Sequence, residues 1–299
     1  MTTTQQGPFD HRMAVYGTDE AFVAAAVPFL CEGLGAPGEA APVAVAAPGK
    51  LDLLRDTLEG EAKGVVLVPH TEWYTGSAAN AVARSAGYLA EHAAPGGRVH
   101  LLMEPVWNGR AGRSARETTE WIRYEALANL LFAPMATTAL CAYDTRVAGD
   151  AIVAAARRAH PGTGAYEDPV ALTAELDSMP LPLPPADAET LAPPTGEALR
   201  SRASARGLQP ADAELFTEAV LAAAAALGPV SRTLMWGEAP ACVCELRTAR
   251  RVDDPLAGFV PPNGAAPEPD QGLWFTRQVC AYVDVRDDAS GAVVRLQYG

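Results

Sequence analysis

The chain has 299 residues, enough for two domains at roughly 100–200 residues each. Its 23 Lys and Arg against 36 Asp and Glu leave a formal net charge of −13. That balance argues against a nucleic-acid surface or a polybasic membrane contact, since both need clustered cations. The most apolar run, 219–227, is about half the ~20 residues of a membrane span. Residues 1–8 are polar and lack the apolar core of a secretion signal, so a cytoplasmic location is expected. The cysteines, at 31, 141, 242, 244 and 280, are odd in number and sit in apolar contexts. They read as buried free thiols.

From Arg12 onward strand and helix patterns alternate. Short apolar runs at 13–16, 41–47, 64–69, 99–106 and 138–143 predict five strands. Helical spacing at 19–34, 51–58, 78–93, 114–132 and 149–159 predicts the helices between and after them. Near-continuous apolar strands separated by helices indicate a parallel sheet covered on both faces. The chain then turns proline-rich, with Pro180, Pro182, Pro184, Pro185, Pro193 and Pro194. A stiff connector is expected there, at 179–195, between a first domain of 1–178 and a second of 196–299. The second domain reads as helices at 196–206 and 210–227, strands at 232–236 and 241–247, a helix at 273–281 and closing strands at 282–286 and 293–297. This is an α+β arrangement, with helices layered on one face of a mainly antiparallel sheet.

Ligands of open parallel sheets bind outside the carboxyl ends of the strands. His70, Glu104 and Tyr143–Asp144 fall at three such ends. The turn after the first strand, Tyr16-Gly17-Thr18-Asp19-Glu20, has no Gly-x-x-x-x-Gly-Lys-Ser/Thr, so the phosphate cradle of a P-loop is missing. A binding pocket is therefore expected at one rim with His70, Glu104, Trp107 and Asp144, beside a helix carrying Glu125 and Asn129; His11 and Tyr143 are the further ligand candidates. Each has a plainer reading. Glu104 can cap a neighbouring element, and Trp107 can fill core. Glu125 and Asn129, four apart on a helix, can bond each other. His11 can lie on the surface. No metal is expected, because no ligand spacing supports one.

The run Met103-Glu104-Pro105-Val106-Trp107, then 123–130, Cys141-Ala142-Tyr143-Asp144 and Ala159-His160-Pro161, resembles the MEDS sensory domain. His11 before the first strand and the apolar helix at 22–34 fit the same family. The resemblance covers about 160 residues and implies a sensory module related to RecA-like ATPases. MEDS domains are often followed by an anti-sigma-type ATPase domain. The last hundred residues resemble that domain, a branch of the histidine-kinase-like ATPases, in the order Cys244 to Gly258, Gly272 to Cys280 and two final strands.

That second resemblance implies an ATP site, and its residues are changed here. The helix that should carry Glu and then Asn has Glu218 but Ala222. Thr248 stands where the adenine-binding Asp belongs, and Arg250 where the following Gly belongs. The glycine loop keeps only Gly272, after Asp270 and Gln271. The expectation is a pseudo-ATPase that is no enzyme, binds no cofactor and holds ATP and Mg²⁺ poorly if at all. It would act through protein binding, with a sigma factor or an anti-sigma antagonist as the partner that the resemblance implies. The competing readings are an active ATP-dependent serine protein kinase and, last, a small-molecule enzyme built on His70, Glu104, Tyr143 and Asp144, which lacks a nucleophile–base motif.

Overall fold

A computed structural model describes residues 9–92, 97–105, 115–191, 195–260 and 272–299. It divides into two compact units, 1–173 and 174–299. In the first, five parallel strands form one sheet: β1 (Phe9–Tyr16), β2 (Val43–Ala46), β3 (Val66–Pro69), β4 (Val99–Met103) and β5 (Thr137–Asp144), in the order β1-β5-β4-β2-β3. Helices α1 (Asp19–Leu34), α2 (Pro48–Leu58), α3 (His70–Trp73), α4 (Ala78–His92), α5 (Ala115–Leu131) and α6 (Thr145–Ala159) connect or follow these strands. The α/β architecture is the one the alternating pattern predicts.

Local chemistry sets the helix ends. The Thr18 hydroxyl accepts from Ala21 N at 3.2 Å and starts α1. Pro48 opens α2, where its missing N–H costs nothing. Gly149 has φ +76° inside α6, so 145–148 is a separate turn, which is why the helical spacing begins only after it.

Strand parity decides what each face carries, because successive side chains point to opposite sides. Tyr16, Ala44, Ala46, Leu102, Leu140 and Ala142 pack with Phe22, Leu30 and Leu54 of α1 and α2 in one apolar cluster. The residues between them in sequence, including His11, Met103, Cys141 and Tyr143, face the other way.

The division between the units falls within α7 (Pro169–Ser178), earlier in the chain than the proline cluster. The second unit has β6 (Glu189–Leu191), α8 (Gly196–Ala205), α9 (Pro210–Leu227), β7 (Val230–Trp236), β8 (Val243–Thr248), α10 (Gly272–Val279), β9 (Tyr282–Asp288) and β10 (Gly291–Gln297). Its sheet is antiparallel, in the order β6-β7-β8-β10-β9. Thus part of the expected connector, Glu189–Leu191, is an edge strand paired with β7. The helices cover one face over Leu199, Phe216, Val220, Cys244, Leu246 and Leu296. Cys242, Cys244 and Cys280 are buried free thiols in that core, and burial pushes Cys242 up to about 11 and Cys280 to about 12. Cys31, expected to be buried, is half-buried.

Helix α10 lies close against α9. The Thr276 hydroxyl donates to Ala219 O at 2.9 Å. A Cβ on Gly272 would sit 2.4 Å from Ala222 O. Gly272→Ala is therefore expected to force the helices apart and cost about 1–3 kcal/mol, the usual range for overpacking. Urea unfolding of the full chain measures it, and a change below about 0.5 kcal/mol would mean that α10 does not dock there.

Candidate functional site

The candidate residues of the first unit form two groups on opposite faces of the sheet. On the α1–α2 face, at the carboxyl ends of the strands, Lys50 enters from the first turn of α2 and bonds both the Glu104 carboxylate and the Tyr16 hydroxyl. It also donates to Asp144 at 2.8 Å. Tyr16 donates to Glu104 at 2.6 Å, and Ala47 N donates to the other Glu104 oxygen at 2.8 Å. Arg146 donates to Asp144 from its backbone N–H and its guanidinium at 2.7–3.0 Å and pairs with Asp19 at 2.7 Å. Lys50, Glu104, Asp144 and Tyr16 are all under 9 % exposed.

The charges explain the shifts. Arg146 first, then Lys50, holds the Asp144 carboxyl far below its ordinary range. Burial, then the Glu104 charge, drives the Tyr16 hydroxyl far up, so it stays a donor. His70 begins α3 beside this network. Burial lowers its pKa, with the Glu104 charge and backbone acting against that shift, and its buried Nδ1 has no hydrogen-bond partner among the described residues. Glu104 thus does more than cap one element, since it ties β1, the β2–α2 turn and α2 together. Trp107 lies outside the described residues.

On the opposite face, His11, Glu125, Cys141 and His160 meet beneath α5 and α6, all buried, with one ligand atom from each within 4.8 Å of the others. His11 is 4 % exposed, which overturns its reading as a surface residue. His11 Nδ1 meets Asn129 Oδ1 at 3.0 Å. His160 Nδ1 meets Ala156 O at 2.8 Å. Tyr143 donates to Glu125 Oε1 at 2.9 Å. Asn129 Nδ2 donates to Ala159 O at 2.7 Å. Asn129 Nδ2 also donates to Glu125 O at 3.3 Å, so the two residues do bond each other, through the Glu125 backbone and not its carboxylate. Burial lowers His11 well below its usual value, with the His160 charge adding to it. Burial raises the Glu125 carboxyl and the Cys141 thiol. A cavity of about 20 Å³ touches His11, Glu125 and Cys141. That is room for one water, which needs roughly 10–15 Å³.

In the second unit, a cavity of about 620 Å³ is lined by Ala226, Arg250, Asp253, Asp254, Gly258 and Leu273, among others. Glu218 is exposed on α9, and neither it nor Ala222, Thr248 or Gly272 lines that cavity. The Thr248 hydroxyl is buried, donates to Leu227 O at 3.3 Å and accepts from Arg250 N at 3.2 Å. Arg250 reaches Ala226 O at 3.4 Å across the cavity wall. Asp270 and Gln271 lie outside the described residues.

The sequence profile of the methanogen/methylotroph, DcmR sensory (MEDS) domain matches residues 10–161, just over half of the chain. The chain belongs to the MEDS family. Both side-chain groups of the first unit fall within the MEDS domain. The role of the chain is accordingly one of signalling or regulation. No curated protein matches the chain, and no solved structure does. Among the described residues, no helix is long and apolar enough to cross a membrane.

Sequence reasoning missed Tyr16, Lys50, Cys141 and His160. Lys50 follows Pro48-Gly49 at the carboxyl end of β2, the place where a helix start faces a ligand rim. That position was the available signal.

Proposed function

We propose that the protein is a signal-dependent regulator whose MEDS domain takes a small molecule at the carboxyl edge of its sheet. The observation that carries this reading is His70. Its buried Nδ1 has no hydrogen-bond partner among the described residues, and the ring lies by the Glu104 backbone beside Lys50 and Glu104, which share one charge network with Asp144. A buried polar nitrogen without a partner costs about 1–3 kcal/mol, and a ligand hydrogen bond would recover that. The test is mass spectrometry of small molecules retained by the full-length protein. His70→Phe is expected to lose the retained molecule with an unchanged melting temperature. Retention equal to wild type would remove the proposal.

The second unit, in this reading, acts by binding another protein, a sigma factor or an anti-sigma antagonist, and no longer uses ATP. Support comes from Thr248, whose hydroxyl is spent on backbone atoms, and from Arg250 at the cavity wall. A charge-assisted adenine contact is worth ~1.5–3 kcal/mol, and Thr248 cannot supply it. ATP with Mg²⁺ is expected to bind with a Kd above about 100 µM, weaker than roughly −5.5 kcal/mol. Calorimetry on the full chain decides between this and the protein-kinase reading, which requires tighter binding.

A further inference from the structure

We propose that His11, Glu125, Cys141 and His160 bind one transition-metal ion of tetrahedral preference, zinc(II) or a metal like it. The first support is spacing. His11 Nε2 is 3.3 Å from Cys141 Sγ and 3.7 Å from Glu125 Oε2. Glu125 Oε2 is also 3.7 Å from Cys141 Sγ and from His160 Nε2. Zinc held at about 2.0–2.3 Å by nitrogen, oxygen and sulfur has tetrahedral edges of roughly 3.3–3.8 Å. Four edges of such a tetrahedron are already present. The two carboxylate–imidazole distances are too long for hydrogen bonds and suit ligands around a common centre.

The second support is the outer shell. An imidazole that binds a metal through Nε2 donates its Nδ1–H to an oxygen. His11 Nδ1 faces Asn129 Oδ1, and His160 Nδ1 faces Ala156 O. With both Nδ1 atoms donating, both Nε2 atoms are acceptors facing the cluster, that of His11 toward Cys141 Sγ and that of His160 without a hydrogen-bond partner among the described residues. Asn129 is oriented in turn by Ala159 O, and Glu125 by the Tyr143 hydroxyl.

The third support is a set of unmet needs. His160 is fully buried, and its Nε2 has no hydrogen-bond partner among the described residues. Glu125 is 1 % exposed; Tyr143 and Cys141 donate to its oxygens, but its ion-pair partners among the described residues are the two imidazoles alone, at 3.7 Å. A divalent ion satisfies both groups at once. A thiolate with two imidazoles selects zinc, copper or iron over magnesium and calcium, which prefer oxygen cages. The ion would join β1, α5, β5 and the end of α6, one ligand from each.

Cobalt(II) titration of the chelator-treated full-length protein is the test. It is expected to give a near-ultraviolet thiolate-to-cobalt band and intense visible bands of four-coordinate cobalt, saturating at one ion per chain. Zinc is expected to displace it. Asn129→Ala, which leaves all four ligands in place, is expected to weaken zinc binding about 10–100-fold. Cys141→Ser is expected to abolish the thiolate band. If that variant does not fold, the wild-type titration still decides. A folded wild-type protein that shows no thiolate band, or Asn129→Ala with wild-type affinity, overturns the site.

Discussion

Lys50→Met is expected to destabilise the MEDS domain by about 3–5 kcal/mol, the usual cost of removing one member of a buried charge group. Methionine nearly conserves the volume of the lysine stem, so packing is largely preserved. What is lost is the cation between two carboxylates. Asp144 keeps Arg146, but Glu104 keeps only the Tyr16 hydroxyl and Ala47 N. Among the described residues, an ionised Glu104 at 5 % exposure then keeps no ion-pair partner. Two outcomes follow. Lys50→Met should unfold at clearly lower urea than wild type, and Lys50→Met with Glu104→Gln should regain much of the loss, because the stranded charge is gone. A single variant within 1 kcal/mol of wild type would show that the network is solvated and lacks the coupling described. Glu104→Ala is expected to lower the melting temperature as well. That makes His70, which is only half-buried, the better residue for separating signal response from folding.

Arg295→Met is expected to have a similar effect in the second unit. Glu245 is 3 % exposed and lies directly across from Arg295 in the β8–β10 register. It receives Nε at 3.0 Å and an Nη at 2.6 Å, while the half-exposed Arg232 adds one longer contact at 3.3 Å. The guanidinium also lies 5.0 Å from the Trp236 ring centre. Removing Arg295 leaves a buried carboxylate with its weaker partner, at about 3–5 kcal/mol. Glu245→Leu with Arg295→Met is expected to approach wild-type stability, since apolar replacements of both partners restore a satisfied site. Additive losses in the double variant would contradict this account. Urea unfolding of the full chain, followed for all four proteins, supplies the cycle.

Much of the fold was legible because its signals are local. The spacing of 19–34 ends where Thr18 caps one side and glycine stops the other. Pro210 and Gly228 frame 210–227 in the same way. β6 was not legible, since three residues inside a proline cluster carry no usable alternation. For the candidate site, the carboxyl-edge rule placed His70, Glu104 and Asp144 correctly beside one another. It did not separate Tyr143 from Asp144, because a rule about strand ends ignores parity. Tyr143 and Asp144 are consecutive and so lie on opposite faces. The cluster of His11, Glu125, Cys141 and His160 escaped a search for ligand spacing for a similar reason. Its members come from two strands, one helix and the end of another, and it takes the β1–β5 pairing together with the packing of α5 and α6 to bring them together.

The adjacency of Tyr143 and Asp144 has a mechanical meaning. One peptide unit, planar and stiff, joins the residue that orients Glu125 to the residue that holds Lys50. The end of β5 thus carries one polar contact on each side of the sheet. A ligand on one face that displaced this peptide would be felt on the other, and any such coupling would have to be equal in both directions.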